Sequence, residues 1–486
     1  MNKKKIIIYS SIVVAIILSV LFAIGTTYYH YTYGDVDAEQ LFFTLTEPLS
    51  GTDNTTYNNI VKFVVVPVVI ASIFALYMFF SSHNGFTYKS KSKIARIISV
   101  CLVVAMLLSS TIWFVNGFNA IDFIKYQYDN GTFIEENYID SKKVNITFPE
   151  NKKNLILIYV ESMETSFTSV ENGGCMSVDI IPELAKLAKE NVHFSNTDKL
   201  GGALETVGTT WTTAGIVAST FGIPLKAAIN SYGENTEFLP NVYSLYDILD
   251  ANGYYQVSMK GAPVEFGGVE KMLSTHKLTN YIDHTNAIKM GLIPEDYVKF
   301  WGYEDMKLFE FAKDELTKIS QKEEPFFLMM ETIDTHMPSG FACDKCTREF
   351  GDKYSNVLRC SSRQVAEFVE WCQQQDWYED TTIVLLGDHL TMVHTYLQNV
   401  GNYQRTTYNC FINSFIQSNN TTNRQFSTID MFPTILASIG CEIEGDRLGL
   451  GTNLFSKSQT LVEEYGIDYI NKEFKKKSMF YLDELM

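Results

Sequence analysis

Gly208-Thr-Thr-Trp211-Thr212-Thr213-Ala-Gly215-Ile-Val217 is the stretch best suited to chemistry. A Gly-led, threonine-rich loop runs straight into an apolar segment, Thr213–Thr220, that reads as a helix. The loop delivers hydroxyls to a helix N-terminus, where unpaired backbone N–H groups and the helix dipole favour an anion. A hydroxyl held there beside a metal can act as a nucleophile in phosphoryl chemistry. Thr212 is the candidate nucleophile. The ordinary alternative is a threonine that only caps the helix.

Three further sets of ligand-type residues follow apolar runs. Glu161 follows Asn154-Leu-Ile-Leu-Ile-Tyr-Val160, His336 lies just after Pro325-Phe-Phe-Leu-Met-Met330, and Asp388-His389 follow Thr381-Thr-Ile-Val-Leu-Leu386. Continuous β-branched and apolar runs of this length read as strands buried on both faces, as in a parallel sheet. Carboxyl ends of such strands are where open α/β sheets bind ligands. Taken singly, each residue is as readily structural. Taken with Thr212, the set Glu161, Thr212, Asp388 and His389 offers oxygen and nitrogen ligands to one divalent cation, with Mn²⁺, Mg²⁺ or Zn²⁺ all suitable. His336 is then left to contact phosphate or to protonate a leaving oxygen. Lys260 follows another predicted strand, Tyr254–Met259, and is either a point charge for phosphate or a solvated loop lysine. Trp211, beside the nucleophile, completes the substrate-binding candidates with His336 and Lys260.

The elements that must position these residues alternate. Helices are predicted over Pro182–Val192, Val242–Asn252, Met306–Ser320 and Arg363–Gln375, between the strands named above. Alternation of this kind predicts an α/β domain with a largely parallel central sheet.

Ahead of that domain, Ile6–Ala23, Ile60–Phe80 and Ile97–Val115 are each apolar and long enough to span a bilayer. The first follows Lys3, Lys4 and Lys5 and could be a signal peptide, but two more spans follow. The hinge 81–96 carries Lys89, Lys91, Lys93 and Arg96, whereas Tyr28–Asn59 has no Lys or Arg and several acids. By the positive-inside rule the N-terminus and the hinge are cytoplasmic, so everything after Val115 faces outward. An outward domain has no cytosolic ATP or NAD to use; lipids and secreted molecules are its available donors.

The chain has 486 residues and a formal charge of -17, which argues against a nucleic-acid partner. Of eight cysteines, Cys101 lies in an apolar run and seven follow it. Cys343-x-x-Cys346 with Cys360 reads as a zinc knuckle, a disulfide or chance. An extracellular setting favours a disulfide, Cys343–Cys346 or Cys346–Cys360, and no fourth zinc ligand is evident nearby.

The sequence resembles the alkaline phosphatase/sulfatase superfamily, and within it the lipoteichoic acid synthase and phosphoglycerol transferase branch. The matching pieces are Asn154–Glu161 with Ser162; Gly208-x-x-Trp211-Thr212-x-Ala214-Gly215, then Gly222-Ile-Pro-Leu225; Asp334-Thr-His336-x-Pro338; Gly387-Asp388-His389; Asp430-Met-x-Pro433-Thr434; and Arg447-Leu-Gly-Leu-Gly451. The loop Ala38–Asp53 fits the membrane part of such proteins. The resemblance implies an alkaline-phosphatase-like three-layer sandwich preceded by three transmembrane helices. It implies metal ligands at Glu161, Thr212, Asp388 and His389, Thr212 as nucleophile, and one divalent ion, Mn²⁺ first. It further implies phosphatidylglycerol as donor and a cell-envelope polysaccharide as acceptor. Lipoteichoic acid synthases carry His, Trp and Arg in the stretch matching Lys260–Val269; here it is Lys-Gly-Ala-Pro-Val-Glu-Phe-Gly-Gly-Val, nearer the glucan phosphoglycerol transferases. A sulfatase proper would need Cys/Ser-x-Pro-x-Arg, which does not occur. Phosphoethanolamine transfer, lipoteichoic acid polymerisation, lipid phosphodiester hydrolysis and an inactive wall-polymer binding module are the competing readings. The expected organisation is a membrane domain, 1–116; a juxtamembrane linker, 117–150; an extracellular catalytic domain, 151–460; and a C-terminal tail, 461–486.

Overall fold

The computed structural model describes residues 3–34, 40–41, 54–84, 93–226, 237–398, 400–418 and 420–486. Lys89, Lys91 and all of the loop Ala38–Asp53 except Gln40 and Leu41 lie outside the described residues. The chain divides into two compact units, Met1–Ala38 with Thr52–Lys125, and Glu39–Gly51 with Tyr126–Met486.

In the first unit, three helical stretches are long and apolar enough to cross a membrane: Ile6–Tyr33, Thr56–Ser81 and Ile97–Gly117. The first is longer than the sequence predicts, because Gly25-Thr-Thr-Tyr-Tyr-His30 continues the helix instead of ending it. The helix Lys3–Tyr33 packs along Lys93–Gly117, with Phe22 stacked on Phe114 at 4.7 Å between ring centroids. Ile7, Ile70, Phe74 and Leu102 point outward from the unit. Helices apolar on every side suit a hydrocarbon surround.

In the second unit a six-stranded sheet is formed by β1 (Asn154–Val160), β2 (Tyr255–Lys260), β3 (Tyr281–Ile282), β4 (Phe326–Glu331), β5 (Thr381–Gly387) and β6 (Asn409–Ile412). Their order is β3-β2-β4-β1-β5-β6, parallel throughout except for β6, which runs antiparallel to β5. Leu155, Leu157 and Tyr159 face one core, shared with the helices Thr212–Phe221, Leu245–Ala251 and Met431–Ser438. Ile156 and Ile158, on the opposite face of β1, are equally buried. The helices Pro182–Glu190, Asp305–Ile319 and Lys353–Gln373 pack together there. The result is the three-layer α/β sandwich with a mostly parallel sheet.

Several boundaries differ from the sequence reading for local reasons. Lys260 is the last residue of β2 and Glu331 the last of β4, so both belong to the sheet and not to loops. The helix read from Arg363 begins ten residues earlier, at Lys353, where the Asp352 side chain accepts from the Ser355 N–H and caps it. Its first turns are rich in Ser and Asn, poor helix formers that hide it from a propensity reading. The segment 461–486 is not a loose tail: it folds into Leu461–Tyr465 and Ile467–Lys475, and Leu461, Ile470, Phe474, Tyr481 and Leu485 enter the main core. Within 130–150, Phe133 and Ile134 are buried in that core, and Ile146–Thr147 pairs with Glu442–Ile443. All eight cysteines are free thiols, so neither expected disulfide is formed.

Register sets the chemistry of the carboxyl edge. Tyr159 pairs with Glu331 and Val160 with Gly387, so Glu161 and Asp388 leave adjacent strands side by side. The Thr212–Phe221 helix then comes very close to this edge. A Cβ added to Gly215 would lie 2.1 Å from the Asp388 carbonyl oxygen. Gly215→Ala should therefore push the helix off the strand end and destabilise the domain by about 1–3 kcal/mol, the usual range for overpacking. Thermal unfolding in detergent checks this, with Gly351→Ala, whose added methyl meets nothing within 4 Å, leaving the transition in place.

Candidate active site

Glu161, Thr212, Asp388 and His389 converge. Thr212 Oγ1 lies 3.4 Å from Glu161 Oε2 and 3.4 Å from His389 Nε2. His389 Nε2 lies 3.6 Å from Glu161 Oε1 and 3.4 Å from Asp388 Oδ2. Glu161, Asp388 and His389 are each only 1% exposed. Thr212 opens the helix, while Trp211, buried and extended, holds the cap position without a side-chain cap bond. The simple N-cap reading of Thr212 therefore does not describe it: its hydroxyl faces the acidic cluster.

These spacings suit a shared cation. Ligands about 2.1 Å from the centre of a tetrahedron stand about 3.4 Å apart. Asp388 is arranged for it. Its Oδ1 accepts from the Ser162 N–H at 2.8 Å and from its neighbour His389 N–H at 2.9 Å. Its Oδ2 is buried with no hydrogen-bond partner, an arrangement costly enough to call for one. His389 Nδ1 donates to the Leu390 carbonyl at 2.8 Å, which turns Nε2 toward the cluster, so that loss of its proton frees a lone pair there. Glu205 in turn accepts from the Leu390 N–H, holding the same residue through its other backbone group.

Electrostatics say the same. Burial, reinforced by the Glu161 charge, pushes the Asp388 carboxyl up to about 7. Burial likewise pushes Glu205 up to about 7. Burial would lower His389, but Asp388, Glu161 and Glu205 outweigh it and hold the imidazole up to about 9. The cluster gathers acidic groups in a dry place, where a cation would offset their charge.

The other three candidates fall differently. His336 stands near the cluster, its ring in a T-shaped contact with Trp301 with centroids 4.6 Å apart and Nδ1 donating to the Met337 carbonyl at 3.0 Å. Burial, together with the neighbouring His389, pushes it down to about 4, so it is neutral. Lys260 is buried and its ammonium meets both oxygens of Glu331, at 2.9 and 3.0 Å. It is thus one half of an ion pair between adjacent strand ends. Trp211 is buried beside Thr212.

Sequence reasoning missed four contributors. Ser162, at a left-handed φ of 54°, donates its hydroxyl to Glu161 Oε1 at 2.6 Å while its N–H holds Asp388. Glu205, Trp301 and Glu331 were the others. Ser162, next to Glu161 in the strand-end motif, and Glu331, three residues before Asp334 at a strand end, carried a visible signal. Around them Glu164, buried and paired with Arg405 at 2.6 and 2.8 Å, accepts from the Thr391 N–H and fastens the loop after His389.

A sulfatase family model matches residues 153–441, which include all four converging residues. The chain belongs to the sulfatase family. Phosphoglycerol transferase I of Escherichia coli (strain 55989) is 31% identical to this sulfatase-family chain over 324 residues, 65% of the chain and 40% of the relative. Phosphoglycerol transferase I of Shigella boydii serotype 18 gives the same figures: 31% over 324 residues, 65% and 40%. The chain thus spans 40% of the length of these curated relatives. Among solved structures, the Neisseria meningitidis lipooligosaccharide phosphoethanolamine transferase EptA superposes with a TM-score of 0.52 at 14% identity, covering 88% of this chain and 84% of that one. An alkaline phosphatase superfamily protein from Vibrio parahaemolyticus gives 0.51 at 21% identity, covering 66% and 74%. The Listeria monocytogenes lipoteichoic acid synthase LtaP gives 0.50 at 17% identity, covering 67% and 81%. These structures establish the alkaline phosphatase superfamily fold.

Protons compete with a cation for Asp388 and His389, so metal affinity must rise with pH through about 7 and on toward about 9. Metal titration of the full chain across that range checks the sign. Asp388→Asn should lose the ion, and His336→Ala should keep it, as read by metal content after gel filtration.

Proposed function

We propose that this chain is a membrane-anchored, metal-dependent phosphotransferase that moves phosphoglycerol from phosphatidylglycerol to a cell-envelope glycan through a phospho-threonine at Thr212. The convergence of the Thr212 hydroxyl with Glu161, Asp388 and His389 carries this reading. The names of the phosphoglycerol transferase I relatives support the headgroup, and the three apolar helices support work at a membrane.

Thr212 Oγ1 attacks the phosphorus of the lipid. A new bond joins that oxygen to phosphorus, the bond from phosphorus to the diacylglycerol oxygen breaks, and the threonine proton ends on the departing diacylglycerol. A glycerophospho-threonine remains. An acceptor hydroxyl then attacks the same phosphorus, the bond to Thr212 breaks, and the proton returns to Thr212. Splitting the transfer in this way is the usual logic of covalent catalysis. When bound, a divalent ion, Mn²⁺ first and Mg²⁺ or Zn²⁺ next, lowers the pKa of the hydroxyl and offsets phosphate charge. Glu161, Asp388 and His389 would hold it with Thr212.

The chain's own residues do the rest. Helix N-terminal N–H groups behind Thr212 face the phosphate. Neutral His336, with Nδ1 committed to Met337, presents Nε2 as a proton acceptor for the incoming hydroxyl and a donor to the leaving oxygen. An arriving phosphate favours its charged form and strengthens that role. Lys260 acts through Glu331 by holding the strand ends together. The catalytic domain lies outside the cell, beside the outer leaflet, in keeping with Lys3, Lys4, Lys5 and the basic hinge on the inner side.

Full-length protein in detergent, given lipids of different headgroups with and without glycan, should release diacylglycerol from phosphatidylglycerol. Thr212→Ala should reduce release to background with the fold intact by thermal unfolding. Wild-type turnover in that variant removes the nucleophile assignment. Preference for phosphatidylethanolamine changes the headgroup, and release unaffected by any glycan makes the chain a hydrolase.

A further inference from the structure

A second ligand cluster sits beyond His336. Cys343 and Cys346 lie in the loop that follows, and Cys360 lies on the Lys353–Gln373 helix. Cys343 Sγ stands 3.8 Å from Cys346 Sγ and 3.7 Å from Cys360 Sγ, and all three sulfurs lie within 4.8 Å of one another. Disulfide sulfurs would be about 2.05 Å apart. Thiolates about 2.3 Å from a zinc ion at the centre of a tetrahedron stand about 3.8 Å apart. The spacing is that of ligands around an ion.

A fourth polar side chain stands beside two of the sulfurs. Gln364, one helical turn after Cys360, places its carboxamide Nε2 3.8 Å from Cys343 Sγ and 3.6 Å from Cys360 Sγ. Its Oε1 is buried without a hydrogen-bond partner. Turning the carboxamide end for end, which leaves its shape unchanged, brings that oxygen to face the sulfurs. An oxygen about 2.1 Å from the ion would stand about 3.6 Å from each thiolate. The loop is tied down beside the thiols: the Cys346 N–H donates to the Cys343 carbonyl at 3.0 Å, and the Arg363 guanidinium, from the helix, donates to the Lys345 carbonyl at 2.9 Å. Cys343 and Cys360 are buried, while Cys346 is partly exposed and gives an entry path.

We propose that Cys343, Cys346, Cys360 and Gln364 hold a structural Zn²⁺, separate from the ion at Thr212. Three soft sulfurs select zinc over Mn²⁺ or Mg²⁺. The ion staples the loop after His336 to the Lys353–Gln373 helix. That loop is already folded back on the site: the Gly340 N–H donates to the His336 carbonyl at 2.9 Å and the Phe341 N–H to the Asp334 carbonyl at 2.6 Å. The staple therefore positions His336 without touching substrate.

The test is cobalt substitution of the full chain in detergent, with metal content and intact mass. Wild type should bind one metal equivalent more than the Thr212 site accounts for and show thiolate-to-cobalt charge-transfer absorption. Asp388→Asn should keep that absorption, since its own site has no sulfur ligand. Cys360→Ser should lose the absorption and keep the other ion, with slower diacylglycerol release and unchanged headgroup preference. No charge-transfer absorption in wild type, or a mass two hydrogens lighter with one free thiol among the three, overturns the zinc site and leaves a disulfide. The wild-type and Asp388→Asn spectra decide the matter even if Cys360→Ser fails to fold.

Discussion

The acidic cluster at the carboxyl edge of the sheet is the constraint to which the rest of the second unit answers. Glu161 and Asp388 are buried on adjacent strands with Glu205 close behind, and one imidazole stands among them. Buried carboxylates that repel each other cannot stay ionised without a cation or a proton. On the proposed reading, that cost is what a divalent ion would offset on binding. The Asp388 oxygen without a partner marks where that offset would act.

Everything nearby holds the cluster in place. Parallel register brings the strand ends level, so two neighbouring strands supply Glu161 and Asp388-His389 without any loop having to reach. Ser162, in a left-handed turn, bonds to both carboxylates and locks their separation. Gly215 lets the Thr212 helix touch the Asp388 backbone. The C-terminal segment joins in, with Asn471 Oδ1 accepting from the Val207 N–H at the start of the Thr212 loop. A residue more than two hundred positions away in sequence thus steadies the turn that presents Thr212.

Much of this was legible in the sequence, for a physical reason. Doubly buried parallel strands must be continuous apolar runs, so β1, β4 and β5 announced themselves, and the residues after them fell on one edge by topology alone. What stayed hidden depends on contacts between distant segments. The partnership of Lys260 with Glu331 follows from register across β2 and β4, which no local pattern encodes. β3 and β6 are short, and helices such as Leu461–Tyr465 carry too few residues for a period to show. An outward-facing setting points the cysteines toward a disulfide, whereas their 3.7–3.8 Å sulfur separations follow only from how the loop meets the Lys353–Gln373 helix. Gln364 is not a residue type one searches for among metal ligands.

The central claim is that one divalent ion joins Thr212 to Glu161, Asp388 and His389. Anomalous diffraction from crystals of the full chain grown with Mn²⁺ tests it most directly. The account predicts an anomalous peak about 2.0–2.3 Å from Thr212 Oγ1 and from one ligand atom of each of the other three residues. A map with no peak there, or with the ion bound by the carboxylates and histidine while the Thr212 hydroxyl points away, contradicts it.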